Sequence, residues 1–369
     1  MKRDREDSDD EQLQSSRVRL GGDSGLNDTS DASNLDESDQ NRDFTKPSGK
    51  KHREKTTFTI AWICALPKEA IPAVLLLDEE YEPLYVPEDD NSYYFGRMDR
   101  HKIVIATLPK GSYGEISSAG VAHNIARSFP SIRLCLLVGI GAGIPSEEND
   151  IRLGDVVISI PSGNLGGVVQ FDFGTEYADR PFQLKGSLNK PPDALAAATS
   201  SFEINDQMGK SKIPQLLAQA QKKMVKNPSR YRYPGVEKDH LFPPNYPCKS
   251  EGRTCRDCDK NQVDLRRSGY RSCVDPIIHY GIIASGSKLM RNPLLRDELM
   301  EKYGAKCIEM EAAGIMNKLP CLVIRGICDY ADSHKNDFWQ DYAALAASAC
   351  ARELLGFVSP ILYKKTSEE

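Results

Sequence analysis

Acidic side chains lie near both ends of the segment Cys307–Asp332, and their spacing could support chemistry. Glu309 and Glu311 open a predicted helix, and Asp329 follows a predicted buried strand, Cys321–Ile327. A strand rich in Val, Ile and Leu that ends in carboxylates is typical of open α/β sheets, which bind ligands outside the carboxyl ends of their strands. Carboxylates grouped there could bind sugar hydroxyls, protonate a leaving group or hold a metal. The same residues could instead only favour a helix N-terminus and cap the next turn.

A further carboxylate, Glu69, lies just beyond the first predicted strand. The continuous apolar run Phe58–Leu66 predicts a buried strand, and Pro67 suits the start of a helix over Lys68–Leu77. Glu69 would then lie in the first helical turn, at the carboxyl end of that strand. The alternative is a surface Glu that the helix dipole favours.

Alternating predicted strands and helices indicate an α/β fold with one main sheet. The predicted elements after the first helix are a hairpin at Tyr93–Met98 and Lys102–Leu108, strands at Leu134–Val138, Ile151–Ile160 and His279–Gly286, and helices at Ile116–Phe129, Asp193–Phe202, Pro293–Tyr303 and Phe338–Phe357, the last of them amphipathic and ending near Gly356.

The glycine run Gly139–Gly143 resembles part of a dinucleotide-binding motif. That motif requires a helix to open on its last glycine. Here Pro145 and a polar turn follow instead. The sequence therefore predicts a turn at the end of a strand, where bare backbone lets a ligand come close.

Three regions of different composition are predicted. Residues 1–56 are rich in Asp, Ser, Arg and Asn and cannot bury enough apolar surface to fold, so we expect them to be disordered. Residues 57–358 form the predicted catalytic domain, and residues 359–369 a loose tail. Within the domain, a basic insertion at about 205–275 is too long for an ordinary loop and should be functional or partly mobile.

Four cysteines of the insertion raise the question of zinc. Cys255 and Cys258 form one CxxC pair, and Cys248 and Cys273 are loosely spaced partners. This is a weak zinc signal, and it leaves open whether the four residues bind the metal. The predicted active site itself has no metal ligand and needs no cofactor.

Composition excludes several classes of protein. The chain has 369 residues and a formal net charge of −5, so no global basic charge marks a nucleic-acid binder. No apolar run of about 18 residues predicts a membrane span, and the N-terminus lacks the apolar segment of a secretory signal. The remaining cysteines lie singly among apolar residues, which suits reduced thiols and predicts a cytoplasmic protein.

Five motifs in order carry a family resemblance. GIGAGIP, IRLGDVV, IIASGSKLM, EMEAAGIM and RGICDYAD together resemble the purine and uridine phosphorylase superfamily. The match is closest to its nucleosidase branch, and especially to the fungal domains often attached to immune-receptor-like proteins. The resemblance implies a three-layer α/β/α sandwich around a twisted, partly closed mixed sheet. It also implies cleavage of a bond between base and ribose, a small-molecule purine ligand and a homodimer or larger oligomer.

The resemblance assigns roles by motif. Asp329 corresponds to the acid that protonates N7 of a purine, which suits the chemistry because a neutral base leaves far more easily than an anion. Glu311 corresponds to the acid that binds the ribose hydroxyls, and Met310 would pack beneath the ribose. The remaining substrate-binding positions are Gly141, Ala142, Leu289, Met290, Glu309 and Cys328.

Glu69 decides the expected reaction type. It corresponds to the glutamate with which nucleosidases position and deprotonate water. Phosphorylases instead carry arginine and serine ligands for phosphate, and the first turn Leu66–Lys68 of this chain offers no arginine. These differences from the phosphorylases favour hydrolysis over phosphorolysis, although Lys68 or a partner subunit could supply a cation for phosphate. A ligand-sensing module without turnover is the alternative of another class.

The basic insertion suggests the substrate. Phosphate oxygens favour Arg and Lys, and some immune-associated relatives cleave ATP to adenine and ribose triphosphate. ATP is therefore the leading substrate, with methylthioadenosine-type nucleosides as the alternative, unless the cations only form a solvated face. Scattered further candidates for phosphate binding are Lys110, Arg127, Arg152 and Lys288.

Overall fold

The computed structural model describes residues 55–250, 255–263 and 274–360. Of the predicted disordered segment 1–56 only residues 55–56 are described, and of the predicted tail 359–369 only residues 359–360. Cys273 lies outside the described residues.

The predicted strands are present in the predicted order, and five further strands within the described ranges were not predicted. The strands are β1 Ile60–Cys64, β2 Glu79–Tyr81, β3 Tyr93–Met98, β4 His101–Thr107, β5 Leu134–Gly143, β6 Val156–Ser159, β7 Val168–Gln170, β8 Gly174–Thr175, β9 Gln183–Leu184, β10 Ile278–Ser285, β11 Ala305–Glu309 and β12 Cys321–Asp329.

The helices alternate with these strands. They are α1 Pro67–Leu75, α2 Glu115–Ser128, α3 Asp193–Gln207, α4 Ile213–Lys223, α5 Pro293–Tyr303, α6 Ala312–Met316 and α7 Gln340–Leu355. Among the residues that the structure describes, none of the helices is long and apolar enough to cross a bilayer.

One mixed sheet contains all strands except the small β8–β9 pair. Its order is β11–β10–β6–β12–β5–β1–β4–β3–β2, and β7 pairs with β10. Strand β5 is central, since β1 and β12 run parallel to it on its two edges. The end of β5 also pairs antiparallel with β11, where Ala142 lies opposite Ile308. This extra pairing partly closes the sheet and brings the end of β11 beside the ends of β5 and β12.

Helices cover both faces of the sheet. Alternate residues of β1 point to opposite sides. Trp62 packs in a cluster with residues of α1, α3, α4 and α7, such as Leu345, whereas Ile63 packs with residues of α2 and α6, such as Val121 and Ile315. The predicted three-layer α/β/α arrangement is confirmed.

The last helix differs from the prediction in its burial. It ends at Leu355 with Gly356 as its cap, as expected, but it is buried on nearly all faces and is not amphipathic. Its small side chains explain this placement. A Cβ at Gly326 of β12 would lie 1.9 Å from the carbonyl oxygen of Ala343, so helix and strand are in backbone contact. The high alanine content therefore reflects close packing.

Two local predictions around the site are wrong. Glu309 does not open a helix, because β11 continues to Glu309 and α6 begins only at Ala312. Gly139–Gly143 do not form a turn, because both edges of β5 find partners there and the strand continues to Gly143. Backbone pairing with distant strands decided both cases.

Much of the insertion packs on the domain. Helix α4 was missed by the sequence analysis, and its apolar residues join the core cluster. Tyr231 is buried and donates a hydrogen bond to the carbonyl oxygen of Lys68. Arg230 pairs with Asp341 of α7 at 3.2 Å. These contacts attach the insertion to α1 and α7.

Candidate active site

A cleft of about 180 Å³ opens at the carboxyl ends of β1, β5, β11 and β12. Sequence analysis placed its candidates in four of the five motifs and in the segment after the first strand, and the fold brings them together here. The predicted residues that line the cleft are Glu69, Gly141, Ala142, Leu289, Met290, Glu309, Met310, Glu311 and Cys328. Asp329 ends β12 beside Cys328 and borders a second cavity, which shares Cys328 and Lys335 with the cleft.

Glu69 is held at the bottom of the cleft by backbone donors. Its Oε2 accepts hydrogen bonds from the N–H groups of Ala65 and Leu66, each at 2.8 Å, and its Oε1 accepts one from Ile140 at 2.8 Å. Burial raises the pKa of Glu69, although nearby Arg325 and the three N–H groups oppose the shift. The alternative of a surface Glu is wrong, since the residue is 1% exposed. A fixed carboxylate with a raised pKa is suited to accept a proton from water.

Arg325 is a site residue that sequence analysis missed. It is fully buried in β12, and its Nη2 donates to Glu311 at 3.1 Å and, in a very short contact, to Glu309. Burial opposes the charge of Arg325, but the three surrounding carboxylates outweigh burial and raise its pKa. A signal existed in the sequence, because an arginine inside an apolar strand is rarely buried without a charged partner.

Three carboxylates surround this one guanidinium, so the cluster carries more negative than positive charge. Burial raises the pKa of Glu311 to about 7, and the negative charges of Glu309 and Glu69 add to the effect. Arg325 and the N–H of Gly114, which lies 3.2 Å from Oε1 of Glu311, act in the opposite direction. Glu311 is thus poised to change its charge near neutral pH.

Glu309 serves the backbone as well as Arg325. Its Oε2 accepts the N–H groups of Glu311 and Ala312 at 3.0 Å each, so it caps α6 from the end of β11. Glu309 therefore stabilises the start of α6, and it also borders the cleft.

The raised pKa of Glu311 predicts a pH dependence of stability. Its ordinary pKa is 4.5, so between that value and about 7 the folded protein binds a proton that the unfolded chain has lost. The stabilisation is complete below pH 4.5 and is lost as pH rises through 7, by at most about 3 kcal/mol at roughly 1.4 kcal/mol per pKa unit. Urea unfolding at about pH 5 and about pH 8 should show this loss for the wild type.

Substitution separates Glu311 from other titrating groups. Glu311→Gln removes the ionisable group. The free energy of unfolding of this variant should therefore fall less between these pH values than that of the wild type. Glu115→Gln, outside the charge cluster, should keep the wild-type dependence. Equal pH dependence in all three proteins would contradict the assignment.

Glycines make room for the charge cluster. A Cβ at Gly139 would lie 2.5 Å from both Nη1 of Arg325 and Oε1 of Glu69. A Cβ at Gly141 would lie 2.5 Å from Sγ of Cys307. The absence of side chains at Gly139 and Gly141 therefore leaves room for buried side chains of the charge cluster and for Cys307. The sequence analysis had explained these glycines only by the approach of a ligand.

Asp329 is held by groups of its own loop. Its Oδ2 lies 2.7 Å from Nζ of Lys335, and its Oδ1 accepts the N–H of Ala331 at 3.0 Å. The thiol of Cys328 lies 3.1 Å from Oδ2. Burial disfavours the charge of Lys335, but Asp329 outweighs it and raises the pKa of the lysine. No local sequence pattern links Lys335 to Asp329, and this contact was not predicted.

The second cavity, of about 440 Å³, is lined by three cations of the insertion. Lys238, Arg256 and Lys260 line it together with Asp329 and Lys335. Other cations of the insertion lie elsewhere, since Lys223 donates to the carbonyl oxygens of Leu75 and Leu77.

The scattered cations have different positions. Lys288 lines the cleft. Arg152 pairs with Asp150 at 2.8 Å, and Arg127 donates to the carbonyl oxygen of Glu88. Of these candidates, Lys288 is placed to meet a ligand in the cleft.

Comparisons with known proteins agree on one family. The family model described as "Phosphorylase superfamily" matches residues 59–359. A nucleotide-binding leucine-rich repeat (NLR)-like protein of Hyaloscypha variabilis is 40% identical over 305 residues, or 82% of this chain and 30% of that protein. A 5'-methylthioadenosine/S-adenosylhomocysteine nucleosidase of Mycobacterium bovis is 23% identical over 82% of this chain and 98% of its own length.

A shorter match is to an ATP nucleosidase. The ATP nucleosidase Cap17 of Escherichia coli is 34% identical over 85 residues, which is 21% of this chain and 17% of that protein. The chain thus spans less than a third of the NLR-like relative and less than a fifth of Cap17.

Solved structures share the fold. Futalosine hydrolase of Helicobacter pylori aligns with a TM-score of 0.53 at 15% identity, covering 82% of this chain and 99% of that chain. A mutant methylthioadenosine/S-adenosylhomocysteine nucleosidase from the same organism, with 5'-methylthioadenosine in its active site, aligns with a TM-score of 0.53 at 15% identity over 81% of this chain and 98% of that chain. The predicted fold class is confirmed.

Proposed function

The chain belongs to the phosphorylase superfamily, and we propose that it is a purine nucleosidase that hydrolyses the N-glycosidic bond of an adenine nucleotide, ATP above all. The observation that carries the proposal is the position of Glu69. Its buried carboxylate borders the same cleft as Glu311, and Asp329 borders the second cavity, which shares Cys328 and Lys335 with the cleft. The proposed base, sugar-binding acid and proton donor therefore line two neighbouring spaces.

The proposed reaction uses these three groups in order. A water molecule attacks C1′ of the ribose while Glu69 takes its proton. The bond from C1′ to N9 breaks, and its electron pair goes to the purine, which Asp329 protonates at N7. Glu311 holds the ribose hydroxyls, whose hydrogen bonds strengthen as positive charge develops on the sugar. The products are the free base and the ribose with its 5′ group.

To act as the acid, Asp329 must both exchange its partner and carry a proton, because the carboxylate that pairs with Lys335 has no proton to donate. Lys335 occupies its Oδ2 in the described structure. A purine whose N7 reached this oxygen would displace the ammonium group. An anionic 5′ group would offer Lys335 a new partner, which makes a nucleotide a better match than a neutral nucleoside.

The second cavity supports a phosphorylated substrate. Lys238, Arg256 and Lys260 line it, and it shares Lys335 with the cleft. Phosphate oxygens bind such cations through charge-assisted hydrogen bonds. The partial likeness to an ATP nucleosidase agrees with this choice. The full-length likeness to a methylthioadenosine-type nucleosidase keeps that nucleoside as the second candidate.

We also infer a homodimer or larger oligomer in the cytoplasm. Tyr113 lines the cleft and is 58% exposed, and Ile116 beside it is 91% exposed, so a second copy could cover this apolar rim. The nine cysteines among the described residues are free, which suits a reducing compartment. Sedimentation analysis at micromolar concentration should show an oligomer, and a monomer would contradict this inference.

The proposed activity is tested by chromatography of the free base released from ATP, adenosine and methylthioadenosine, each with and without phosphate. We expect adenine from ATP without phosphate. Release only with phosphate would assign the protein to the phosphorylases, and preference for methylthioadenosine would favour the second candidate. No release from any substrate would favour a sensor without turnover.

A pair of lysine variants tests the second cavity in the same assay. Lys260→Met removes a cation that lines the cavity, so KM for ATP should rise about tenfold, which corresponds to roughly 1.4 kcal/mol. KM for adenosine should not change. Lys222→Met, at the end of α4, is the matched control and should leave both values unchanged. Equal effects of the two variants on ATP would argue against phosphate binding in this cavity.

A further inference from the structure

A cluster of sulfur and nitrogen atoms lies at the edge of the second cavity. The thiols of Cys248 and Cys258 and the imidazole of His334 present ligand atoms within 4.8 Å of one another. Sγ of Cys248 lies 3.6 Å from Sγ of Cys255 and 3.6 Å from Sγ of Cys258. Residues far apart in the sequence therefore bring two thiols and one imidazole together, and the thiol of Cys255 lies beside them, 3.5 Å from the carbonyl oxygen of His334.

These separations suit a tetrahedral metal better than a disulfide. Disulfide sulfurs are about 2.05 Å apart. Thiolates bound tetrahedrally to zinc at about 2.3 Å are separated by about 3.8 Å. The observed 3.6 Å is close to that value. The thiol of Cys248 thus already has nearly the spacing from the other two thiols that the metal requires.

His334 is the independent observation that points to a ligand. It is 6% exposed, and in the described part of the chain neither of its ring nitrogens has a hydrogen-bond partner. The ring is stacked on Phe242 at 3.9 Å between centroids, which fixes its orientation. A buried imidazole without a hydrogen-bond partner is unfavourable, so a bound cation would account for its position.

The surroundings of His334 resemble an outer ligand sphere. Oδ1 of Asp332 lies 3.7 Å from Nδ1 of the ring, and Oδ2 of Asp332 is also buried without a partner. Carboxylates commonly orient histidines that bind metals. A small adjustment would complete such a contact.

We propose that Cys248, Cys255, Cys258 and His334 form a Zn²⁺ site. Thiolate and imidazole donors select zinc among common divalent cations, and four protein ligands make a closed, structural site. The sequence had suggested Cys273 as a partner of these cysteines, but that residue lies outside the described part of the chain. The structure assigns the fourth position to His334 from a distant loop.

The site connects the insertion to the loop that carries Lys335. The N–H of Cys248 already donates to Oγ of Ser333 at 2.8 Å. Lys335 follows His334 directly and pairs with Asp329. Zinc would therefore hold this loop beside the candidate active site, and His334 would be a positioning residue. Only this last role depends on the proposed function.

The experiment counts the metal in the full chain, purified under reducing conditions without chelators. We expect about one Zn²⁺ per chain by elemental analysis. Replacement by Co²⁺ should give the visible absorption of a tetrahedral thiolate complex. A wild-type protein that retains no zinc and gives no such spectrum with Co²⁺ would overturn the proposal, whether or not the protein has nucleosidase activity.

Variants identify the ligands. His334→Ala should lose most of the zinc, whereas His334→Cys restores a fourth ligand and should retain it. Cys350→Ala, which removes a buried cysteine of α7, is the matched control and should keep the full zinc content. Full zinc content in His334→Ala would place the metal elsewhere and overturn this ligand set. The wild-type measurements decide the matter if a variant does not fold.

Discussion

Asp329→Asn should lower the rate of base release by about 10²–10⁴-fold, the usual contribution of a general acid. The amide has nearly the same shape as the carboxyl group and its oxygen can still accept the N–H of Ala331. The fold should therefore remain intact, with a lower melting temperature because Lys335 loses its charged partner. The purine would then have to leave without a proton from this side chain. Single-turnover rates and thermal melting of the purified variant measure the two effects separately.

The matched control for this variant is Asp341→Asn. It makes the same chemical change in α7, where the carboxylate pairs with Arg230 outside the cleft. Its turnover should equal that of the wild type. A wild-type rate in Asp329→Asn would refute the assignment of the acid, while leaving the fold and the family untouched.

Arg325→Met should destabilise the protein by about 3–5 kcal/mol, the cost of leaving buried carboxylates without their cation. Glu309 and Glu311 both lose their contact with the guanidinium, and Glu69 loses the nearby positive charge. Methionine has a similar length, so a cavity accounts for little of the effect. Urea unfolding followed by circular dichroism measures the change in free energy.

A surface arginine and a lower pH provide the controls. Arg230→Met breaks a pair whose partners are 30% and 27% exposed, and should cost no more than about 1 kcal/mol. Acidic pH protonates the carboxylates and should restore part of the stability of Arg325→Met. A loss below about 1 kcal/mol at neutral pH would show that the cluster does not need its central charge.

Arg325→Met removes contacts that connect two distant strands, β12 and β11. The same arginine that stabilises β12 also orients Glu309 and Glu311 at the end of β11. The charge cluster thus supports the fold and shapes the cleft through one set of interactions. Loss of activity in Arg325→Met would therefore accompany loss of stability, whereas Asp329→Asn should lose activity while it remains folded.

The sequence by itself determined the order and type of most elements. Continuous apolar runs such as β1 and β12, and prolines and glycines at helix ends, act over a few residues and are visible without tertiary information. The positions of Glu69 and Asp329 after strands could be predicted for the same reason, whereas the strand that precedes Glu311 was not predicted. Family motifs then suggested their roles, which the proposed experiments test.

The tertiary structure alone decided which groups meet. Strand β5 continues through its glycines because β11 and β12 pair with it there, and Glu309 ends a strand for the same reason. Arg325 with Glu309, Lys335 with Asp329, and His334 with the cysteines are partners without any local pattern. Such contacts depend on burial and on the pairing of distant strands, since a buried charge or imidazole selects its partner only after the chain has folded.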